Sequence, residues 1–398
     1  MRRLLRNRLP CSYYVVKQNL NRIIRRYKSV YLDKGELSQK LLQQSPDCIL
    51  IYETECASKQ YRVNHAMECF HALRLSTALL SLEDLDKISE FRFFKNLQFV
   101  LLHRIPLTVS VKKFVNACKL HSIPVIFDLD DAIHNFDIYK HSAVFDILTP
   151  LETKIHRKLA QHISQSLDLC DAITVSTSVL SDYVSALNKP VRVIPNRVSP
   201  EMVQTAANIV TPGNIQGPLI GYFSGTETHH RDFLLVINAV KDAFNCFPEA
   251  RLIIAGLLKL PHDFKSEFFK RIICVPFKPW PDFLQNYYGI TVNLAPLESD
   301  NPFCRAKSGV KYLESALSRV PTIATATSDY QRLISDGKNG FLALNQNSWT
   351  TAIKHCLNNP DAAKTAGKNA FEHVMNYEMI TANLEIWQNC LSDLGIQV

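Results

Sequence analysis

NLAPLESDNPFCRAKSGVKYLESALSRVPTIAT, residues 293–325, reads as strand, polar loop, helix and strand in succession. The loop delivers Lys307, Ser308 and Gly309 to a helix start. A glycine there lets backbone N–H groups approach an anion, and the helix end adds about half a positive charge. Lys307 and Lys311 add two full charges, and Glu314 follows five residues after the glycine, inside the helix. A carboxylate at that place can accept two hydrogen bonds from a ribose diol. An anion site beside a diol acceptor is what a nucleoside diphosphate needs.

The same alternation extends outward in both directions. In the first half, CILIYE (48–53), LQFVLLH (97–103), PVIFDL (124–129), DAITVS (171–176) and VRVIPN (191–196) read as strands. Helical patterns lie between them, from about Val63 and over roughly 108–121, 150–168 and 178–187. In the second half, LIGYFS (219–224) is followed by a helix over about 231–246, then by the strands RLIIAG, RIICVP, ITVNLAP and PTIATA. Apolar strands alternating with helices predict parallel sheets covered on both faces, an α/β class. Two such units in series predict two doubly wound, Rossmann-like domains. Ligands then bind at the carboxyl ends of the strands.

Glycine usage marks the boundary. Gly35 is the only glycine before residue 213, and Pro195, Pro200, Pro212, Gly213, Gly217 and Pro218 cluster between the halves. The expected organisation is a basic arm over 1–45, a first domain over 46–200 and a second over 201–380.

Composition excludes several classes. Of 398 residues, 46% are hydrophobic and 21% charged, which fits a globular chain and neither a disordered nor a fibrous one. No apolar run approaches the ~18 residues of a membrane span. The eleven cysteines are scattered, with Cys48 and Cys56 the nearest pair, so a zinc ribbon or a disulfide framework is not expected. Reduced thiols in a cytoplasmic protein are.

The net charge of +8 is local. Residues 1–32 carry nine Lys and Arg and no acid, which leaves the rest of the chain at a formal −1 (+8 less +9). Leu20, Ile23, Ile24, Tyr27 and Tyr31 recur at helical spacing, with Arg22, Arg25, Arg26 and Lys28 mostly opposite. Such a helix suits an anionic membrane surface. A solvated face is the plain alternative, with a transit peptide and nucleic-acid phosphates as lesser readings. No nucleic-acid partner is expected. His229 and His230 are adjacent and have no third ligand nearby, so no metal site is expected.

The chain also carries GYFSGTETHHRDF at 221–233, NPFCRAKSGVKYLE at 301–314, DGKNGF at 336–341, VIFDLDD at 125–131 and YRV at 61–63. These segments resemble glycosyltransferase family 4, the retaining enzymes of GT-B fold that use nucleotide sugars. They are most similar to a bacterial branch with GYFSGTxTHxRDF and NPFxxAKSxxKxxE segments. The resemblance spans roughly residues 46–390. It implies two Rossmann-like domains facing a central cleft, with the last helix, about 381–398, crossing back onto the first. It implies transfer of a sugar, with retention, from a nucleotide-diphosphate sugar to a glycan, lipid-linked or protein acceptor. The nucleotide sugar is then a co-substrate, with no cofactor and no metal. The expected location is cytoplasmic, with peripheral contact at the inner membrane face through residues 1–32.

The resemblance also assigns roles. Glu314 holds the ribose, and Ser308, Gly309 and Val310 face the diphosphate. Arg231 and Lys307 stabilise the leaving phosphate, with Asp130 near the donor sugar. Gly225 and Thr226 belong to the donor loop, and Phe277 and Lys278 to base recognition. Tyr61, Arg62 and Arg104 lie on the acceptor side. The chain departs from the pattern at Ala306, where the first motif Glu would stand, and at Arg305, where the branch has an acid. A nucleotide- or glycan-binding module without turnover is therefore the second reading. A remote third comes from FDLDDAI (127–133), which resembles the first motif of haloacid-dehalogenase phosphatases, with Asp128 as nucleophile and Asp130 as acid/base.

Overall fold

A computed structural model describes residues 41–397 apart from 42, 55, 86–87, 89–91, 210–216, 225–229, 257, 259, 277, 279 and 281. The basic arm through residue 40, and with it the membrane contact expected of residues 1–32, lies outside the described residues.

Twelve strands form two six-stranded sheets among the described residues. The first contains β1 (Cys48–Tyr52), β2 (Thr77–Ser81), β3 (Phe99–His103), β4 (Val125–Leu129), β5 (Ala172–Val175) and β6 (Val191–Val193), in the order β2-β1-β3-β4-β5-β6. The second contains β7 (Leu219–Ser224), β8 (Arg251–Gly256), β9 (Ile272–Val275), β10 (Val292–Ala295), β11 (Thr322–Thr325) and β12 (Phe341–Ala343), in the order β12-β11-β10-β7-β8-β9. Every pairing in both sheets is parallel.

Alternate side chains of one strand feed opposite cores, which is why the strands are apolar throughout. Ile49, Ile51, Val100, Leu102 and Phe127 enter one core of the first lobe. Cys48, Leu50, Phe99, Leu101 and Ile126 enter the other. In the second lobe Ile220, Tyr222, Leu252 and Ile254 share a core with the helix Ile237–Cys246, while Leu219, Phe223, Ile253 and Ala255 pack on the far side.

Sequence patterning misses four details. β2 is an edge strand of alternating burial, and β12 is only three residues long. The helix expected over 231–246 is two helices, His230–Leu234 and Ile237–Cys246, and the break lets both Phe233 and Val236 into the core. The helical stretch after β1 contains a π turn, Gln60–Asn64, a wider winding that often marks functional sites.

The chain passes between the lobes twice, and the two passages are joined. Val198 N–H donates to the Glu378 carbonyl at 2.8 Å, and Ile380 N–H donates to the Val198 carbonyl at 2.9 Å. Beyond the second passage, the helix Leu384–Ser392 lies on the first lobe. Its Trp387 packs edge-on against Phe70, with ring centroids 4.8 Å apart, in the core that holds Cys48 and Leu50.

Candidate functional site

The two lobes meet over a cavity of about 490 Å³ lined by both of them. That volume lies within the ~300–1,000 Å³ typical of small-ligand sites. Its second-lobe wall is the beginning of the helix Val310–Leu317, where Lys307, Ser308, Val310, Lys311 and Glu314 all border the space.

Glu314 is gripped from both sides. The Tyr61 hydroxyl, from the first lobe, donates to Oε1 at 2.9 Å, and the Tyr287 hydroxyl donates to Oε2 at 2.8 Å. Burial raises its carboxyl above the ordinary value, against the two tyrosines and Lys311, which pull it down. Tyr61 itself borders the cavity.

Lys311 holds the most exceptional position. Its Nζ is buried with no hydrogen-bond partner among the described residues, 4.7 Å from the centre of the Tyr222 ring. Burial, reinforced by Lys307, pushes its ammonium down to about 8, although Asp232 and Glu314 oppose the shift. Lys307 behaves differently. Burial lowers its ammonium, but Asp131, 3.8 Å away, and neighbouring groups more than offset this and raise it. Two cations thus face one space at a helix start, one of them without a hydrogen-bonding counterpart.

Ser308 borders the cavity and accepts from Asn196 Nδ2 at 2.8 Å, a contact between the lobes. Gly309 plays a different part from the one its motif implied. Its N–H donates to Asp329 Oδ2 at 2.6 Å, so it is not offered to an anion. A Cβ at this position would lie 2.4 Å from Leu333 Cδ1. The glycine is there because the helix tip sits directly against the helix Ser328–Leu333. Lys278 borders the cavity and donates to Gln285 Oε1 at 2.9 Å. Gly225, Thr226 and Phe277 lie outside the described residues.

Arg231 is not among the cavity's lining residues. Its guanidinium forks onto the Asp146 carboxylate of the first lobe, where His230 Nε2 also sits 3.0 Å from Asp146 Oδ2. Arg231 is therefore a clasp between the lobes here, and its hydrogen bonds are spent on protein. The segment beside it docks on the first lobe as well. Asn301 Nδ2 donates to the His141 carbonyl at 2.9 Å, Tyr183 to the Pro302 carbonyl at 3.0 Å and Thr177 to the Ala306 carbonyl at 3.0 Å. Ala306 is fully buried in the first lobe's core with Phe303. A carboxylate at 306 would be buried there without room, which accounts physically for the alanine.

The first-lobe wall is built at the ends of β3 and β4. Arg104 turns into left-handed backbone (φ 55°), which aims its guanidinium at Asp130 and Asp131. Arg104, Asp130 and Asp131 all border the cavity. Arg62 does not. It is 4% exposed, and it donates to both oxygens of Asp128, to the Ile194 carbonyl and to Asn196 Oδ1. Its role is to brace the lobe from within, since adjacent residues of the π turn point different ways and Tyr61 takes the outward direction.

Asp128 is equally enclosed. At 1% exposure it accepts from Arg62, from His103 Nδ1 at 2.8 Å and from Thr174 Oγ1 at 2.6 Å. An attacking nucleophile needs a free lone pair facing substrate. Asp128 has neither access nor lone pairs to spare, which overturns the phosphatase reading of the FDLDDAI segment.

Asp232, Glu298 and Cys304 bring three ligand-type atoms within 4.8 Å of one another. Burial pushes the Cys304 thiol up to about 12. Of these, Asp232 bears on both Lys307 and Lys311, and Glu298 lies 4.0 Å from Arg231.

Motif reading missed His103, Ser58 and Asn196. All three act through contacts far apart in sequence. For His103 the usable signal is its place at the carboxyl end of β3, where sheets of this kind put their working residues.

Residues 217–359 match the family model described as Glycosyl transferases group 1. No curated protein matches the chain by sequence. Among solved structures, it is similar to HepE of Anabaena in complex with UDP, at 12% identity over 87% of this chain and 100% of that one, TM-score 0.56. It is similar to the sucrose-phosphate synthase of Thermosynechococcus elongatus, at 13% identity over 87% and 98%, TM-score 0.60. A glycosyltransferase from Rickettsia africae gives 14% identity over 87% and 98%, TM-score 0.59. These likenesses establish the two-lobed GT-B architecture. Among the described residues, no helix is long and apolar enough to cross a membrane.

Proposed function

We propose that the protein is a glycosyltransferase that moves a sugar from a nucleotide-diphosphate donor, held by the second lobe, to an acceptor lying against the first. The observation that carries this reading is the buried Lys311 Nζ, without a hydrogen-bond partner, beside Lys307 at a helix start on the cavity wall. Asp232 and Glu314 supply charge nearby, but a buried ammonium whose hydrogens have no acceptor is costly. A diphosphate supplies acceptors for it, and Glu314, ~4.5 Å further along the helix from Lys311 by its rise per residue, is suited to a ribose diol. The family match over 217–359 supports the reading, since it contains all three residues.

In the proposed reaction the bond from the anomeric carbon to the diphosphate breaks, and its electron pair leaves with the phosphate. Lys307 and Lys311 face the growing charge in a site of low dielectric, where such stabilisation counts most. Ser308 and Val310 line the same end, and Lys278 stands on the side where the resemblance puts the base. Arg104 and Asp130 face the donor sugar and acceptor from the first lobe. We propose retention of configuration, and a glycan, lipid-linked or protein acceptor. Attraction of the basic residues 1–32 to anionic lipid, and hence a peripheral location at the inner membrane face, is part of the proposal. Co-sedimentation with anionic liposomes, with and without those residues, tests it.

The main test is calorimetry with UDP, GDP and ADP. One of them should bind the wild type, raise its melting point by mass action, and bind Lys311→Met and Glu314→Ala far more weakly. No binding of any nucleotide ends the proposal. A module that binds without turnover is the second reading, favoured by the enclosed Ala306. Release of nucleotide from a nucleotide sugar distinguishes the two.

A further inference from the structure

Exposed large apolar side chains scattered singly are ordinary and need no explanation. Here several gather. Ile147, Leu151 and Ile155 of the first lobe are exposed, Leu151 at 69%, and so are Leu234 and Leu235 of the second. Both groups flank one contact, the clasp of Arg231 on Asp146. Ile147 follows Asp146 directly, and Leu234 comes three residues after Arg231.

The fold explains why the first-lobe positions stand clear. The helix Pro150–Leu169 has 20 residues, about 30 Å at its rise per residue. The neighbouring helix Val109–Leu120 starts only beside its second half, where the Leu107 N–H donates to the His162 carbonyl at 2.9 Å. The first turns of Pro150–Leu169 therefore project past that neighbour. Their inner side props the cavity wall: His156 Nδ1 lies 2.9 Å from the hydroxyl of Tyr139, which borders the cavity, and Arg157 covers the Phe136 ring. Their outer side carries Leu151 and Ile155 in one row and Lys154 and Lys158 in the next, each pair four residues apart. By helical geometry these four fall within about 100° of arc. Both lysines are exposed, and neither is ion-paired among the described residues. The one acid in these turns, Glu152, is buried in a capping box with Thr149.

We infer that this helix face docks on an anionic lipid layer, with Leu151 and Ile155 entering the headgroup boundary and Lys154 and Lys158 meeting lipid phosphates. Ile147 continues the face to the clasp. Apolar area and cationic charge add in such binding. A soluble protein that covered the apolar row would need acids placed opposite both lysines, whereas anionic headgroups offer charge at every position. Ser142 and Val144, which border the cavity, lie five and three residues before Ile147, so docking brings the cavity beside the headgroup level. The inference goes beyond the proposed function. It concerns the body of the protein rather than residues 1–32, and it does not depend on nucleotide binding.

The test uses the full chain and vesicles of phosphatidylcholine with one third phosphatidylglycerol, prepared with and without bromine on the acyl chains as a quencher. Leu151→Trp puts a fluorophore on the proposed face. Leu120→Trp puts one on another exposed leucine, at the far end of the helix Val109–Leu120. Brominated vesicles should quench the fluorescence added by Leu151→Trp and spare that added by Leu120→Trp. Leu151→Asp together with Ile155→Asp should weaken vesicle binding at least ~10-fold, the scale of withdrawing two aliphatic side chains from an apolar layer, while the protein still melts as a folded chain. Lys154→Ala together with Lys158→Ala should weaken it about 10-fold on these vesicles and leave the weaker binding to pure phosphatidylcholine unchanged. Vesicle binding with both added fluorophores unquenched assigns the attachment to residues 1–32 and overturns the docking face. No vesicle binding overturns it as well, and so does an unquenched dimer that Leu151→Asp with Ile155→Asp dissolves. A chain that binds UDP, GDP or ADP yet shows no quenching loses only the docking face. Quenching in a chain that binds none of them overturns the donor reading alone.

Discussion

The Tyr61 hydroxyl donates to Glu314 Oε1 at 2.9 Å, joining residues 253 apart in the chain and on opposite lobes. This bond favours the ionised carboxylate, and Tyr287 does the same from within the second lobe. Burial works against both and raises the carboxyl overall. Tyr61→Phe removes one restraint, so the carboxyl should take up its proton at a higher pH. Nucleotide affinity should then begin to fall at a higher pH on acidification than in wild type. Affinity measured from pH 7.5 down to 4.5 checks this, and superimposable curves would show the bond to be incidental.

Lys311 gives a pH dependence of opposite sense. Burial holds its ammonium down to about 8 in the free protein. A bound phosphate favours the charged form and raises it again. Binding above pH 8 should therefore take up a proton, and affinity should decline as pH rises through that value. Calorimetry at pH 8.5 in buffers of different ionisation enthalpy reads the proton directly. Lys311→Met should bind roughly 10-fold or more weakly at pH 7, the scale of a lost charge-assisted hydrogen bond, and take up no proton.

Asp128 should matter for stability. Its carboxyl is held below the ordinary range in the folded state. A depressed folded value contributes stability that is full above the unfolded value of ~3.9 and is lost as pH falls below it. Asp128→Asn leaves Arg62 buried without its counter-charge, a change that typically costs about 3–5 kcal/mol. Urea unfolding at pH 7 should show the loss. Between pH 4 and 2 the variant should lose less further stability than wild type does.

Gly309→Ala separates packing from anion contact. The backbone there has φ −80°, so glycine is not required by a left-handed conformation. The added Cβ meets Leu333 Cδ1 at 2.4 Å, and such overpacking typically costs about 1–3 kcal/mol. A lower melting point is expected, with the additional prediction that Leu333→Ala restores part of it in the double variant. Full stability of the single variant would contradict the close packing of the two helices.

The site was readable in part for reasons that are themselves physical. Lys307, Ser308, Lys311 and Glu314 lie within eight residues on one loop and helix, so their convergence on one wall follows from helical geometry. Arg231 and Gly309 sit in equally conspicuous motifs, yet Asp146 and Asp329 take their hydrogen bonds. Those partners lie 85 and 20 residues away, and nothing local announces them. Arg62 next to Tyr61 is a similar case, since the π turn alone determines which of the two faces the cavity.

The sequence by itself determined the two parallel sheets, their helical covering and the cationic helix start, because periodicity and local spacing are properties of neighbours. Only the tertiary structure decided that Tyr61 closes on Glu314, that Ala306 is sealed into the first lobe, and that Ser58, His103 and Asp128 form one line. Those relationships depend on which strand ends meet across the groove, and that is set by the packing of two lobes joined through Val198 and Glu378.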